Sequence, residues 1–445
     1  MKEAKDIDDS LEFLRSFEKH ANNTAFGELV LQRLDRHNKS LNLQGNRLTE
    51  TEFQSLFSLE SLKYLKSIDL SETGMNSKAV KHLCSSKWLH HITSLSLANN
   101  NLDDEGIFLL SKTNCLPNLT SLDLSSNEIG ALGAKVLSLS KSLNSVFSLN
   151  ISYNRIEPLG VHSLANSDFG RQLRFLQLRD ICLGNEGMRS FSSFRLDDLK
   201  SLDLSDNSIS DAGLEALATS NSFPNIKKLV FNNNHIGDDG IYALSQSNMV
   251  CNLESLFLVN NDLTTDSAIS ISESPGLTQL NTLDINNNDI RAEGTKALSE
   301  SPNLKSIEYL DLGQNALGSD GAKALAQSPN MQTLKFLRLN NNNIKDAGIS
   351  DMAISKNFTS LEQLFLENEN WIHSEGAKST AFPLLRTLVL TLNAIGDEGA
   401  FHLAGNNNLN SLEQLNVAGN KISPRGEDAL RNSPHLQHLK NLELV

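Results

Sequence analysis

Leucine and asparagine positions return at a nearly constant interval along most of the chain. The phrase L-x-x-L-x-L-x-x-N-x-I/L recurs, and its asparagine column advances by 27 residues in most steps. The column consists of Asn46, Thr73, Asn100, Asn127, Asn154, Ile181, Asn207, Asn234, Asn261, Asn288, Asn315, Asn342, Asn370, Asn393 and Asn420. The column therefore defines fifteen units, and Leu439, Leu442 and Leu444 begin a sixteenth.

The pattern within each unit predicts a short strand followed by a helix. In the segment LKSLDLSDNSISDAGLEALA, alternation places Leu202 and Leu204 on the inward face of a strand and Asp203 on the outward face. The asparagine that follows can bond backbone groups in the bend, and a ladder of such side chains would satisfy the polar groups of stacked units. The apolar spacing after Asp211, with its acidic first turn, predicts the helix.

The alternation of strands and helices predicts an α/β fold in which every crossover returns in parallel. Strands would line the inside and helices the outside, so stacking would curve the array into a horseshoe with a concave sheet. At about 4.8 Å between strands, that surface would be roughly 70 Å long.

The repeated phrase resembles the leucine-rich repeat family, specifically its ribonuclease-inhibitor-like branch, over residues 38–445. With its short, regular units rich in Asn and Ser, the chain is also similar to repeat proteins that intracellular bacterial pathogens deliver into host cells. This resemblance implies a solenoid that binds a protein, with contact residues that differ from member to member.

The two ends depart from the repeat. Residues 1–37 do not follow it, and Leu11, Leu14 and Phe17 predict an amphipathic helix that would act as an N-terminal cap on the first strand. At the other end the segment LKNLELV stops within a predicted strand. We expect either that the native protein continues past Val445, or that a partner or a second copy covers the open edge, which would allow self-association.

Composition and charge narrow the class of partner. Hydrophobic residues make up 39% of the chain and charged residues 21%, which suits a packed core rather than a disordered chain. The net charge of −14 opposes docking on nucleic acid or on anionic membranes. Without a long apolar run or a secretory signal, the chain is expected to be soluble and cytoplasmic, or secreted into the host cell if it is an effector.

The four cysteines have no close spacing in the sequence. Cys84, Cys115, Cys182 and Cys251 form no C-x-x-C motif, which favours a reducing compartment over a disulfide framework.

No catalytic motif stands out, so we expect neither enzymatic activity nor a cofactor. Walker, G-x-G-x-x-G, H-E-x-x-H and nucleophile-elbow patterns do not occur in the sequence. His435 and His438 are spaced to share a helical face, but no third metal ligand follows nearby. The acid pairs Asp103-Asp104 and Asp238-Asp239 fall where outer helices start, where carboxylates pair with the helix dipole.

One segment imitates the beginning of a calcium loop. Asp284, Asn286 and Asn288 have the required spacing, but Asp289 replaces the glycine and Thr295 replaces the terminal glutamate. The positions of these three residues within the repeat explain them better than a calcium loop does, so no metal site is expected.

Strand alternation identifies the outward residues, and the residue between the two strand leucines is the central one. The central positions are Asn42, Asp69, Ser96, Asp123, Asn150, Gln177, Asp203, Val230, Phe257, Asp284, Asp311, Arg338, Phe365, Val389, Asn416 and Glu443. Val230 and Phe257 occupy neighbouring central positions, and Val259 shares the face of Phe257. These three residues predict an apolar patch.

A second outward group combines aromatic rings with a guanidinium. Tyr309 and Phe336 lie two residues before the central position of neighbouring units, beside the central residues Arg338 and Phe365. This composition is enriched at protein interfaces and predicts a binding surface. Trp371 is predicted to lie beside Phe365, in a unit with an inserted residue. The alternative is that the rings only stabilise the sheet, by about 0.2–1 kcal/mol per cross-strand pair.

The leading functional hypothesis is a non-enzymatic module that binds a partner protein on its concave face. The aromatic group would supply affinity and the acidic residues orientation. One alternative is a GTPase activator, since one branch of similar repeats stimulates a small nuclear GTPase, although the acidic tail of that branch is absent here. Another is the substrate-recognition part of a ubiquitin-ligase system, although no second domain is present to carry the chemistry.

Overall fold

The computed structural model describes residues 17–18, 24–380, 382 and 384–444 of the chain. The helix predicted over Leu11 and Leu14 lies outside the described residues. The chain divides into two units. Unit 1 contains the described residues up to Ser208 together with Ser220–Asn225, and unit 2 contains Ile209–Thr219 together with the described residues from Ile226 onward. The predicted boundary between a cap and the repeats at residue 37 stays a prediction.

The strands are short and occur once per repeat. Those of unit 1 are β1 Leu34–Asp35, β2 Ser40–Asn42, β3 Ser67–Asp69, β4 Ser94–Ser96, β5 Ser121–Asp123, β6 Ser148–Asn150, β7 Phe175–Gln177 and β8 Ser201–Asp203. Those of unit 2 are β9 Lys228–Val230, β10 Ser255–Phe257, β11 Thr282–Asp284, β12 Tyr309–Asp311, β13 Phe336–Arg338, β14 Gln363–Phe365, β15 Thr387–Val389, β16 Gln414–Asn416 and β17 Asn441–Glu443.

Helices alternate with these strands. Those of unit 1 are α1 Ala25–Gln32, α2 Glu50–Ser58, α3 Ser77–Ser85, α4 Asp104–Ser111, α5 Ala131–Ser138, α6 Glu157–Ala165, α7 Asp168–Arg171 and α8 Gly184–Phe191. Those of unit 2 are α9 Asp211–Ala218, α10 Asp238–Ser245, α11 Thr265–Glu273, α12 Arg291–Glu300, α13 Gly318–Gln327, α14 Lys345–Ala353, α15 Ser374–Ser379, α16 Gly396–Ala404 and α17 Pro424–Arg431.

The predicted α/β class with a parallel sheet is confirmed in each unit. In unit 1, strands β2 to β8 pair in parallel with their sequence neighbours, and β1 pairs antiparallel with β2. In unit 2, strands β9 to β17 all pair in parallel. Leu202 and Leu204 are buried and Asp203 is half-buried, as the alternation predicts. The face of each sheet that carries the central residues is called the sheet face below.

The predicted asparagine ladder is present and satisfies buried backbone groups from one repeat to the next. The Nδ2 group of Asn315 donates to the carbonyls of Ile285 at 2.9 Å and Gly313 at 2.8 Å, and its Oδ1 accepts from the amide of Ile290 at 3.3 Å. Thr73 replaces asparagine in this column, and its hydroxyl still donates to the Leu70 carbonyl at 2.7 Å. The ladder therefore fixes the turn after each strand.

Carboxylates at the helix starts cap the helix of the following repeat. Oδ1 of Asp104 accepts from the amide of Gly133 in the next helix at 2.9 Å, and Oδ1 of Asp346 accepts from that of Gly376 at 3.1 Å. The predicted role of the Asp103-Asp104 pair at a helix start is thus confirmed, and it extends across two repeats. Because the first amides of a helix lack internal partners, each such carboxylate ties neighbouring helices together.

Serine residues at the helix ends form a second ladder. The Ser301 hydroxyl donates to the carbonyl of Ser272, and the Ser328 hydroxyl donates to that of Ser299, each at 2.5 Å. Ser301 and Ser328 directly follow the last residues of α12 and α13, where the Ser-Pro pairs predict the helices to end. These bonds satisfy helix carbonyls that have no partner within their own helix.

Candidate functional site

Three aromatic rings stand side by side on the sheet face of unit 2. Tyr309 and Phe336 stack with ring centroids 4.2 Å apart and planes inclined by 10°, and Phe336 and Phe365 lie 5.0 Å apart at 36°. Register explains this order, because Tyr309 pairs with Phe336 and Arg338 pairs with Phe365 on adjacent strands. All three rings are half-buried, so part of each remains open to a ligand. We call Tyr309, Phe336 and Phe365 the aromatic stack.

Arg338 joins the aromatic stack to a buried carboxylate. Its guanidinium carbon lies 5.2 Å from the ring centroid of Phe336 and 4.9 Å from that of Phe365. Its Nη1 also pairs with Oδ2 of Asp311 at 3.0 Å. The predicted group of Tyr309, Phe336, Arg338 and Phe365 is therefore one contiguous cluster. Both cation–π contacts and the ion pair restrict the guanidinium, so its position is set before any ligand arrives.

Asp311 is held by a small network below the rings. Its Oδ1 accepts from the amide of Gly313 and from Nδ2 of Asn286, each at 3.0 Å. Gly313 leaves room for this bond, because a Cβ at this position would lie 2.3 Å from Nδ2 of Asn286. A larger residue would displace the asparagine that bonds Asp311. The sequence pattern predicts Asp311 to face outward, and the alternation alone does not indicate that it is buried.

Two titratable groups beside this network have shifted pKa values. Burial, and then the nearby charge of Asp311, raise the pKa of Asp284 to about 7, against the lowering effects of the Asn286 amide and Arg338. Burial, followed by the charges of Asp311 and Asp284, raises the pKa of Tyr309 to about 12. Asp284 therefore changes charge near neutral pH, whereas Tyr309 stays protonated there.

The second predicted group, Val230, Phe257 and Val259, lies on the same sheet face but exposes less apolar surface than expected. Phe257 and Val259 are half-buried. Val230 is only 8% exposed, because its short side chain pairs in register with the larger Phe257. Nζ of Lys228 lies 4.9 Å from the ring centroid of Phe257. The expected apolar patch therefore reduces to Phe257 and Val259 with a cation over one ring.

Trp371 does not join the aromatic stack. No ring contact links it to Phe365 in the part of the chain that the structure describes. It lies just after the buried ladder residue Asn370, with 55% of its surface exposed. The inserted residue is absorbed there by consecutive positive φ angles at Asn368 and Glu369, and Trp371 also has a positive φ. This turn places the indole beyond the strand, away from the central position of Phe365.

Unit 1 carries a related group that the sequence analysis did not single out. The rings of Phe147 and Phe175 lie 6.4 Å apart, and the guanidinium carbon of Arg174 lies 5.4 Å from the centroid of Phe147. Phe175 is exposed and occupies the same place in its strand as Tyr309 and Phe336. Reading the outward column two residues before the central position in every repeat would have found it.

Among the described residues, no group of three or more His, Cys, Asp and Glu is arranged to hold a metal ion. The described helices include none that is long and apolar enough to cross a bilayer. His435 and His438 lie in turns after α17, because that helix ends at Arg431, so the prediction of a shared helical face is wrong.

Two of the cysteines come close in the fold. All four are free thiols. Cys84 and Cys115 meet on unit 1, where burial and the proximity of Cys115 raise the pKa of the Cys84 thiol to about 11. Burial likewise raises the pKa of Cys115, against a hydrogen bond from Thr113. Because the thiolate is the reactive form, this pair is poorly suited to nucleophilic chemistry.

Comparison with known proteins gives a repeated family match. Nine segments match the family model described as Leucine Rich repeat: residues 89–111, 115–138, 198–218, 224–245, 277–299, 303–326, 330–353, 383–404 and 408–430. No curated protein matched the chain.

Solved structures also align with the chain over most of its length. A chain of the yeast Rad7 and Elc1 complex has a TM-score of 0.50 and 16% identity, covering 99% of this chain and 93% of that one. An internalin from Listeria monocytogenes has a TM-score of 0.42 and 18% identity, with coverage of 97% and 94%. A chain of the TLR13–ssRNA13 complex has a TM-score of 0.43 and 21% identity, with coverage of 91% and 54%. Such identities show a likeness of fold alone.

Proposed function

We propose, because the chain is a leucine-rich repeat protein, that it acts as a non-enzymatic module that binds another protein. The binding surface is the sheet face of unit 2, centred on the aromatic stack and Arg338. The ribonuclease-inhibitor-like branch and a role as a secreted bacterial effector stay predictions from the sequence.

The observation that carries this proposal is the anchoring of Arg338. Its guanidinium lies within 5.2 Å of two half-buried rings and is bonded to a carboxylate that is itself buried. Aromatic and arginine side chains dominate the binding energy of protein interfaces. A side chain that is already immobilised loses little further entropy when a partner binds. The cluster is therefore a preorganised surface.

The alternative is that the rings only stabilise the sheet, and variants separate the two roles. We would remove two rings with Phe336→Ala/Phe365→Ala and compare the variant with wild type in affinity capture from cell lysate. As the matched control, Tyr242→Ala removes an exposed ring on helix α10. Binding through the aromatic stack predicts that the double variant loses a partner that both wild type and the control retain.

Thermal unfolding of the same three proteins completes the experiment. The double variant is expected to melt close to wild type, because half-buried cross-strand pairs contribute only about 0.2–1 kcal/mol each. Retention of every partner by the double variant would show that the aromatic stack is not the binding surface. A large loss of melting temperature together with unchanged capture would support the stabilising role alone.

A further inference from the structure

Small residues occupy the strand positions next to one side of the aromatic stack. Thr282 pairs with Tyr309 in register, and Ser255 pairs with Thr282 on the next strand. Phe336 stacks on one face of the Tyr309 ring, while the side chain next to its other face is the short Thr282. Since neither a threonine nor a serine can span an aromatic ring, that face of Tyr309 is open above Thr282 and Ser255.

A carboxylate stands next to this open ring face. Asp284 follows Thr282 by two residues on strand β11, so both side chains point to the sheet face. Oδ1 of Asp284 accepts from the amide of Asn286 at 3.2 Å. In the described part of the chain no ion pair joins Asp284 to a cation, because the neighbouring Arg338 pairs with Asp311. The single guanidinium of Arg338 therefore lies near two carboxylates, those of Asp284 and Asp311.

The charges around Asp284 favour a cation over an anion. Asp311 adds a second negative charge on one side, and Arg338 is already engaged. On the other side Lys228, the first residue of β9, has its ammonium over the ring of Phe257 at 4.9 Å. An incoming positive group would gain the attraction of Asp284, whereas an acidic group would meet two carboxylates. An aromatic face next to a carboxylate suits an alkyl chain that ends in a cation.

We propose that the partner inserts a lysine or arginine side chain at this place, with its cationic head on Asp284 and its methylene groups on the open face of Tyr309. This inference rests on the function proposed above and names the chemistry of the partner residue. It commits to a basic side chain as the occupant of the space above Thr282 and Ser255.

The test uses tyrosine as a local reporter. The chain contains only 4 tyrosines, so biosynthetic incorporation of 3-fluorotyrosine gives four fluorine resonances, and Tyr309→Phe assigns the one from Tyr309. Three capped tripeptides, Gly-Lys-Gly, Gly-Glu-Gly and Gly-Leu-Gly, serve as probes at constant ionic strength. The lysine peptide is expected to shift the Tyr309 resonance saturably, and the other two are expected to leave it in place.

Two variants and a control test the assignment of the site. Asp284→Asn removes the charge, and Thr282→Phe covers the open ring face, so each should weaken binding of the lysine peptide at least ten-fold. Asp203→Asn alters the same strand position in unit 1 and should bind like wild type. The proposal would be overturned if the Tyr309 resonance did not shift with the lysine peptide, or if it shifted equally with the leucine peptide. It would also be overturned if Asp284→Asn bound the lysine peptide with the affinity of wild type.

This result can be told apart from failure of the proposed function. If Phe336→Ala/Phe365→Ala loses its captured partner while Asp284→Asn keeps both partner and lysine peptide, the binding surface stands and the basic anchor is wrong. If the double variant keeps every partner, the binding surface itself is wrong, whatever the peptides do.

Discussion

Nη1 of Arg338 lies 3.0 Å from Oδ2 of Asp311, and this bond joins a side chain that is 34% exposed to one that is 2% exposed. The carboxylate also accepts from Gly313 and Asn286, so its side of the pair is fixed within the fold. Arg338 belongs to the proposed binding surface and at the same time neutralises a buried charge. If the proposal is right, sequence changes at Arg338 will affect recognition as well as stability.

Replacing the arginine should destabilise the protein more than replacing an exposed one. Arg338→Leu leaves Asp311 buried without its countercharge, and we expect a loss of about 1–3 kcal/mol in the free energy of unfolding. The control is Arg291→Leu, which breaks an exposed pair with Asp289 and should cost about 1 kcal/mol or less. Urea unfolding followed by circular dichroism measures both. Equal losses would mean that the Asp311 pair is worth no more than a surface pair.

The charge of Asp284 should lower stability above neutral pH. Its pKa rises from 3.8 to about 7 on folding, so between these values the unfolded chain has released a proton that the native protein keeps. The contribution of Asp284 to the free energy of unfolding is therefore fully present below pH 4 and is lost as the pH rises towards 7. Asp284→Asn should melt higher than wild type at pH 8 and equally at pH 4. An equal gain at pH 4 and pH 8 would show that the Asp284 charge is not the cause.

Binding of a basic side chain should show the opposite pH dependence. Only ionised Asp284 attracts a cation, so affinity for the lysine tripeptide should increase as the pH rises from 6 to 8. The groups that face Asp284 are Asp311, Arg338 and Tyr309, and Tyr309, with a pKa of about 12, stays protonated over this range. Fluorine titrations at several pH values measure the change. An affinity that does not change between pH 6 and pH 8 would show that peptide binding does not depend on the charge of Asp284.

Removing one member of the asparagine ladder should be costly. Asn315→Ala loses bonds to the Ile285 and Gly313 carbonyls and to the Ile290 amide. The two carbonyls keep bonds from Nδ2 of Asn288 and the amide of Asn287, so the buried Ile290 amide is the group that loses its partner. We expect a loss of about 1–3 kcal/mol in the free energy of unfolding, the cost of one unsatisfied buried group. Asn408→Ala changes an exposed asparagine and should stay within about 0.5 kcal/mol of wild type. Thermal and urea unfolding compare the two variants.

Inward and outward residues of one repeat should respond differently to truncation. Leu339 directly follows strand β13 and is fully buried, so Leu339→Ala should lower the free energy of unfolding by about 2–5 kcal/mol. Phe336→Ala removes a larger but half-buried ring from strand β13 and should lower it by less. Unfolding midpoints of the two single variants provide the comparison. A greater loss in Phe336→Ala would identify the aromatic stack as part of the structural core.

The repeated leucines predict the fold well because their alternation directly reports burial. Leu202 and Leu204 are buried, and the same reasoning correctly joins Tyr309 to Phe336 across neighbouring strands. Contacts between neighbouring repeats can also be predicted from the sequence, since residues 27 positions apart lie side by side. The sequence therefore predicts which outward side chains meet, provided that the repeats keep a constant length.

The burial of outward residues is harder to predict from the sequence, because it depends on the side chains of the neighbouring strand. Val230 and Asp311 occupy outward positions, but adjacent side chains cover them. For Asp311 a clue exists in Gly313, which stands where Ser205 and Asn340 stand in other repeats. A missing side chain there admits Asn286. Trp371 shows the other limit, because the residue inserted before Asn370 changes the turn that leads from Phe365 to the indole.

The caps that bridge repeats also define how this chain can change length. Asp104 bonds the amide of Gly133, and Asp346 bonds that of Gly376, in each case a partner supplied by the following helix. A cut between the repeats at either of these junctions separates a carboxylate from its amide. Duplication or excision of whole periods rejoins equivalent partners, so evolution or engineering can lengthen or shorten the array without leaving a helix end bare.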